Sequence, residues 1–359
     1  MDRRPDMDAL AAAKRRQYVK KKKRERVIIV SLLLVTILAV WGLIFSILYQ
    51  LRVSTLPPPV ETGSTEALPP VETTARLPQE TIATAPPTTQ SLTLTADDLH
   101  TGDLILVSTL LGRAYVFPKD ESGLLTLYGN KSDSYRVSSS AIRLKTEVVR
   151  ALDTMFDACF AETGCRDYQI TQGYRTLEMQ TEIYDSYRET YGEEQGALLA
   201  AMPGYSEHHS GLAFDMNVYT SAGVSYSLGT AGQTDPVYNW IYDNAAKYGF
   251  ILRYPESKTG VTGITNEPWH FRYVGRGHAA YMTENGLTLE EYIALLYKYP
   301  ENGEHLSFTY DGVSYEVFCK KAGADGTATV TLPADADYTV SGDNDAGFIV
   351  TLIKAVAAD

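Results

Sequence analysis

SEHHSGLAFD, residues 206–215, sets two adjacent histidines and an aspartate around a glycine, in a chain that has 6 histidines in all. Gly211 reads as a tight turn, and LAFDMNV after it reads as a strand whose successive side chains face opposite ways. Such a turn can bring a histidine and Asp215 back to one point. Catalytic zinc sites take about three protein donors from His, Asp and Glu and leave a further position open. From the residues alone either histidine can be the donor, and both can equally be solvated neighbours of a core strand. Two ligands do not make a site, so a third must arrive from elsewhere.

Residues 266–275, NEPWHFRYVG, offer one. Glu267 and His270 stand three apart, with Trp269 between them to shield a site from bulk water. A carboxylate beside a metal can take the proton of a water that the metal acidifies, and then pass it to a leaving amine. Alone, Glu-x-x-His is a common surface pattern.

The surrounding chain reads as helices mixed with short strands, an α+β class. TGDLILVS (101–108) and RAYVFP (113–118) are β-branched with turn residues between them, and read as strands. Apolar residues at helical spacing over Ala141–Phe160 predict a helix. YQIT (168–171) predicts a strand, and LEMQTEIYDSYRETYG (177–192) a second helix. Residues 236–249 predict a third, ending at Gly249. TLEEYIALLYKY predicts another, with Thr288 as its N-cap and acidic residues in its first turn. After Pro300 the pattern changes to strands and turns, with Asp311-Gly312 as a hairpin turn.

The net charge of −12 conceals an asymmetry. Residues 1–26 carry +7, residues 27–52 carry only Arg52, and the remainder carries −20. So acidic a body excludes nucleic acid as a partner, because phosphate recognition needs a basic face. The basic cluster instead precedes VIIVSLLLVTILAVWGLIFSILY, residues 27–49, 23 residues without a charge. At about 1.5 Å per residue this run spans a bilayer core of roughly 30 Å. It is too long for the apolar region of a cleaved signal peptide, roughly 7–15 residues. By the positive-inside rule the N-terminus is cytoplasmic and everything after Arg52 is extracellular, in a single-pass protein of the cell membrane.

Residues 54–90 are rich in Pro, Thr and Glu, a composition that stays extended as a stalk. The expected organisation is a basic tail (1–26), a transmembrane helix (27–49), a stalk (50–94), a catalytic domain (95–300) and a small β domain of unassigned role (301–359). Cys159 and Cys165 can pair across a short turn in an oxidising compartment, or remain buried thiols.

SEHHSGLAFD fits the pattern S-x-H-x-x-G-x-A-x-D, and EPWH (267–270) fits E-x-W-H. With GYRT (173–176) and GFILRYPESKTGVTGITNEPWHFRYVG (249–275), these resemble VanY-type zinc D-alanyl-D-alanine carboxypeptidases, of the LAS/Hedgehog-like metallopeptidase group. The resemblance covers roughly residues 100–298. It implies a zinc domain with a small antiparallel sheet and packed helices. It also implies Zn²⁺ on His208, Asp215 and His270, with Glu267 as general base and then acid. Arg175 is implied to face the substrate, stabilising an oxyanion or gripping a carboxylate, although a structural salt bridge would also account for an arginine there. Gln180 and Ser206 fall where the family places polar contacts to the substrate end. His209 falls in a variable slot, as a solvated or supporting residue. His100, His278 and His305 are left as surface or structural residues.

The implied activity is removal of the C-terminal D-alanine from peptidoglycan stem peptides. An LD-carboxypeptidase acting on tetrapeptide stems shares these motifs. A non-catalytic peptidoglycan-binding or sensor module is the alternative from another class; its signature would be loss of Glu267 or of a ligand, and none is lost.

Overall fold

A computed structural model describes Lys21 and residues 88–355, apart from residues 120, 194, 195, 197 and 198. The expected transmembrane helix, the basic tail other than Lys21 and the expected stalk up to residue 87 lie outside the described residues. Among the described residues no helix is long and apolar enough to cross a membrane.

Strands Thr89–Leu94 (β1), Leu124–Thr126 (β2), Arg136–Val137 (β3) and Arg143–Lys145 (β4) precede helix α1, Thr146–Thr163. The buried stripe of α1, including Val148, Leu152, Met155 and Phe156, has the helical spacing expected from the sequence. Its start is later than Ala141 because residues 143–145 are held extended by pairing with β2. Strand β5 (Tyr168–Gln172) leads into α2 (Leu177–Tyr191), whose first turn is capped by the Thr176 hydroxyl accepting from Met179 N–H. Strands β6 (Ala213–Tyr219) and β7 (Ser225–Ser227) come next, followed by α3 (Leu228–Thr234), β8 (Phe250–Leu252) and β9 (His270–Tyr273).

The single helix expected over 236–249 is three short turns, Pro236–Asn239, Trp240–Asn244 and Ala245–Tyr248. Asn244 departs from helical dihedrals at φ −129°, its side chain bonded back to the Trp240 carbonyl at 2.8 Å. Beyond β9 lie α4 (Arg276–Glu284) and α5 (Leu289–Leu296). The latter is closed by a reciprocal capping box between Thr288 and Glu291. Strands β10 (Leu306–Tyr310), β11 (Val313–Lys321), β12 (Ala328–Pro333), β13 (Asp337–Gly342) and β14 (Gly347–Ala355) complete the described chain.

The central sheet runs β3-β5-β6-β9-β8, antiparallel except for the β3–β5 pair, and β7 joins the far half of β6. Alternation along β6 decides its two faces. Phe214, Met216 and Val218 enter the core, where Phe214 stacks on its cross-strand partner Phe271 with ring centroids 5.9 Å apart. The other face carries Ala213 and Asp215, opposite Arg272 and His270 of β9. That polar face is where the candidate site forms.

Two sequence expectations change here. TGDLILVS and RAYVFP are not sheet strands; among the described residues they share one bridge, Ser108 to Arg113. Their backbone groups bond to the β13–β14 turn and to Gly204 instead of to a ladder. The stalk expected to run to residue 94 gives way earlier, since Thr89–Leu94 is β1 and pairs along its whole length with β12.

The C-terminal residues form their own sheet, β10-β11-β14-β13. Its Val317 and Ile349 nevertheless share a buried cluster with Leu104, Leu106 and Ile293. Asn344, at the left-handed φ of 64°, joins the two parts. Its amide donates to the Leu106 and Ala114 carbonyls at 3.1 and 2.8 Å, and its Oδ1 meets His100 Nδ1 at 2.8 Å. Those segments bracket residues 107–109, which wall the cavity described below.

Replacing Asn344 by alanine removes these bonds from a buried site and should lower the free energy of unfolding by ~2–4 kcal/mol in chemical denaturation. A change below ~0.5 kcal/mol, the range of an ordinary surface substitution, would contradict this account of the turn.

Candidate metal centre

Three segments converge on the polar face of the sheet. Glu207–Ser210 forms a short 3-10 turn closed by Gly211 at φ 70°, where a side chain would be strained and would also press on Leu124. GYRT, just past β5, is laced to that turn: His208 Nδ1 meets the Gly173 carbonyl at 2.8 Å, Arg175 N–H donates to the His208 carbonyl, and His209 Nδ1 meets the Arg175 carbonyl. Gly173 has no room for a side chain, because a Cβ there would lie 2.5 Å from the Arg143 carbonyl. The third segment is β9, whose first residue His270 stands directly across from Asp215.

The result is a cluster of His208, Asp215 and His270 whose ligand atoms all lie within 4.8 Å of one another. Asp215 Oδ2 is 3.3 Å from His208 Nε2, and Oδ1 is 3.0 Å from His270 Nδ1. Glu267 Oε2 is 3.4 Å from the same His270 nitrogen.

The donor set fits a divalent cation. A carbonyl can only accept, so His208 Nδ1 carries the proton given to Gly173 and Nε2 keeps a lone pair. Burial, with Arg175 nearby, lowers the His208 pKa to about 4. Its neutral ring therefore turns a lone pair toward the Asp215 carboxylate with no proton between them. Asp215 Oδ1 is buried and, despite its short distance to His270, has no hydrogen-bond partner. Two imidazole nitrogens and a carboxylate oxygen on one point are the donors zinc takes.

The charges around the cluster are tightly coupled. Burial resists ionisation of Asp215, but the charged His270 beside it outweighs burial and holds the carboxyl well below its usual range. Burial works against the charged form of His270 too, and Asp215 and Glu207 overcome it to raise its pKa to about 9. Glu267 is raised above an ordinary glutamate, chiefly by burial, with Asp215 adding to the effect and His270 opposing it.

Arg175 is bound on three sides: Nη2 to Asp215 Oδ2 at 3.1 Å, Nη1 to Gln180 Oε1 at 3.2 Å, and Nε to Gln172 Oε1 at 3.4 Å. Gln180 is buried, and its amide nitrogen is given to the Ala201 carbonyl, so both ends of its side chain are engaged within the protein. Ser206 is buried at the start of the 3-10 turn and makes no capping bond. A cavity of about 380 Å³ opens over the cluster, walled among others by Arg175, Tyr184, Ser206, Glu267 and Trp269. Trp269, expected to shield the site, is 36% exposed in that wall.

Of the two alternatives for His209, the structure takes the supporting one: its Nδ1 holds the Arg175 carbonyl. The ring is fully buried between Tyr115 and Phe117, and its Nε2 accepts from Gly204 N–H. His278 is likewise internal, between the hydroxyls of Tyr292 and Thr351. Cys159 and Cys165 are both buried thiols with no bridge.

Sequence reasoning passed over Glu207, Arg253 and Arg272, all fully buried beside the cluster. The signal was present in FILR and HFRY, where an arginine sits directly after or within a short apolar strand. A long cation is almost never fully buried without a partner.

A His₂Asp cluster with a further carboxylate beside it, under an open cavity, defines a metallohydrolase class of site. The family description D-alanyl-D-alanine carboxypeptidase (VanY) matches residues 141–276. A D-alanyl-D-alanine carboxypeptidase of Enterococcus faecium is 34% identical over 264 residues, 74% of this chain and 79% of that protein. The bifunctional D-Ala-D-Ala dipeptidase and carboxypeptidase VanXYC of Enterococcus gallinarum is 35% identical over 164 residues, 43% of this chain and 80% of that one. The crystal structure of the vancomycin resistance D,D-dipeptidase VanXYg, in complex with a D-Ala-D-Ala phosphinate analogue, superposes with a TM-score of 0.64 at 29% identity, covering 74% of this chain and 100% of that one.

The chain belongs to the VanY family of D-alanyl-D-alanine carboxypeptidases, and it is a zinc-dependent metallopeptidase.

A metal entering the cluster must displace the proton held on His270. Zinc affinity, measured by chelator competition, should therefore rise roughly tenfold per pH unit between about pH 6 and 8 and level off near the His270 pKa of about 9. An affinity independent of pH across that interval would contradict it.

Proposed function

We propose that this protein is a membrane-anchored extracellular zinc carboxypeptidase that removes the C-terminal D-alanine of peptidoglycan stem peptides. The observation that carries the reading is the His208–Asp215–His270 cluster with Glu267 beside it, at the floor of a cavity of about 380 Å³. In this reading His208 Nε2, Asp215 and His270 Nδ1 hold the zinc. A zinc ion held there would supply the acidification of a water and the polarisation of the carbonyl under attack.

The side chains do the rest. Glu267, partly exposed to the cavity, accepts the proton of the attacking water and returns it to the leaving amine. Its raised pKa brings it closer to a group that can both take and give a proton near neutrality. Arg175, pinned by Gln172, Gln180 and Asp215, presents fixed positive charge where negative charge develops on the carbonyl oxygen. Since Gln180 has both polar ends engaged, its part is to brace Arg175, while Ser206 remains in the cavity wall to meet the substrate end.

A wall-bound substrate suits the domain order: a basic tail, the uncharged run 27–49, a Pro/Thr-rich stalk, the catalytic domain over 95–300 and the β segment after it. The relatives include an enzyme named both dipeptidase and carboxypeptidase, so free D-Ala-D-Ala belongs among the substrates to be compared.

The zinc-loaded full chain should release D-alanine from a pentapeptide stem ending in D-Ala-D-Ala faster than from a tetrapeptide stem or from free D-Ala-D-Ala. Glu267→Ala should keep its zinc and lose kcat by about 10²–10⁴. No D-alanine from any of the three substrates, with the variant indistinguishable from the parent, would overturn the reading. Faster release from the tetrapeptide would make the enzyme an LD-carboxypeptidase.

A further inference from the structure

Beside the cluster, and buried, lies a second carboxylate facing the same imidazole. Glu207 Oε2 and His270 Nε2 are 3.7 Å apart, both are buried, and neither has a hydrogen-bond partner. The other oxygen, Oε1, is held firmly: it accepts from Arg253 Nε at 2.8 Å and from Arg272 Nη1 at 3.0 Å. Each arginine is fixed in turn. Arg253 gives its two remaining nitrogens to Glu290 of α5 at 2.9 and 2.6 Å, and Arg272 gives Nη2 to the Asp103 and Ile105 carbonyls.

The sheet register explains why these groups meet. Arg272 is two residues beyond His270 on β9, and Arg253 lies just past β8, whose Ile251 pairs with Arg272. All three side chains therefore rise from the same face of adjacent strands. Glu207 sits one residue before His208 and lies over that face.

We propose that Glu207 is the positioning carboxylate of the metal centre. Clamped through Oε1 by Arg253 and Arg272, it presents Oε2 to Nε2–H of His270 and commits that ring's Nδ1 to the cation. The two histidine ligands are thus oriented by different means, His208 by the neutral Gly173 carbonyl and His270 by a charged group. A carboxylate behind a ligating imidazole fixes its tautomer and increases its basicity, and losing one weakens metal binding by about 10–100-fold. Glu207 cannot stand in for Glu267, because its side chain has no exposed surface and its Oε1 is held by two arginines, while that of Glu267 is 23% exposed. The inference rests on the zinc reading of His270.

The competing account makes Glu207 only a counter-ion for two buried arginines. The full chain is compared with Glu207→Gln, Glu207→Asp and Glu290→Gln for zinc affinity by chelator competition, for melting temperature with and without zinc, and for the visible spectrum of the Co²⁺-loaded protein. In Glu207→Gln one oxygen can serve the arginines or His270, not both. Zinc affinity should fall about 10–100-fold and the Co²⁺ spectrum should shift, while kcat at saturating zinc changes much less.

Glu207→Asp keeps the charge between the arginines but withdraws the oxygen from His270, so it should also weaken zinc; this holds the test if the glutamine variant does not fold. Glu290→Gln loosens the arginine clamp at a distance and should lower the melting temperature with little effect on zinc affinity. Unchanged zinc affinity in both Glu207 variants, with equal losses of melting temperature in the metal-free and zinc-bound forms, overturns the positioning role and leaves the zinc site standing. If the parent chain binds no zinc, the reading of the site falls and this inference with it.

Discussion

Asp215 and His270 face each other across neighbouring strands, and most of the site follows from that register. A slip of one residue between β6 and β9 would send Asp215 or His270 into the core and bring Phe214 or Phe271 out. The Phe214–Phe271 stack on the buried face opposes such a slip, because exposing the two rings would forfeit several kcal/mol of apolar burial. The apolar face of the sheet thereby holds the polar face in place. His208 is added by the turn just upstream of β6, and Glu267 by the turn just upstream of β9, so the whole cluster hangs on one strand pair.

The polar face is costly to bury. It collects Glu207, Arg253, Arg272 and Glu290 in a space with almost no solvent, and a lone ionised carboxylate there would be untenable. Burial opposes ionisation of Glu207, yet the two guanidinium groups prevail and hold its carboxyl well below the usual range. The network also ties the site to its surroundings: Glu290 belongs to α5, and Arg272 reaches the carbonyls of the 103–105 segment. That segment is secured from the far side by the Asn344 turn of the C-terminal sheet. The residues after 300 thus support a wall of the cavity as well as forming a sheet of their own.

Much of this was legible in the chain. Period-2 alternation in LAFDMNV marked a two-faced strand, and Gly211 marked the turn that returns a histidine toward Asp215. The choice of His208 over His209 was not available from composition or spacing. It came from the motif, and the structure places His208 in the cluster by the bond from Nδ1 to Gly173. Whether His209 was solvated or supporting could not be told locally, because the rings it packs against, Tyr115 and Phe117, lie some ninety residues earlier. TGDLILVS and RAYVFP misled for a related reason. β-branched residues suit any extended backbone, and a partner contributed by residues 341–344 leaves no local trace. The role of Glu207 needed three strands in register before it could be seen.

The account stands on zinc bound by His208, Asp215 and His270, and crystals of the zinc-loaded protein test this most directly. A difference map from data collected on either side of the zinc absorption edge should show one strong peak. It should lie roughly 2.0–2.2 Å from His208 Nε2, from an Asp215 carboxylate oxygen and from His270 Nδ1. A peak on His209 or on another set of residues, or no peak at the cluster in zinc-saturated crystals, would contradict it.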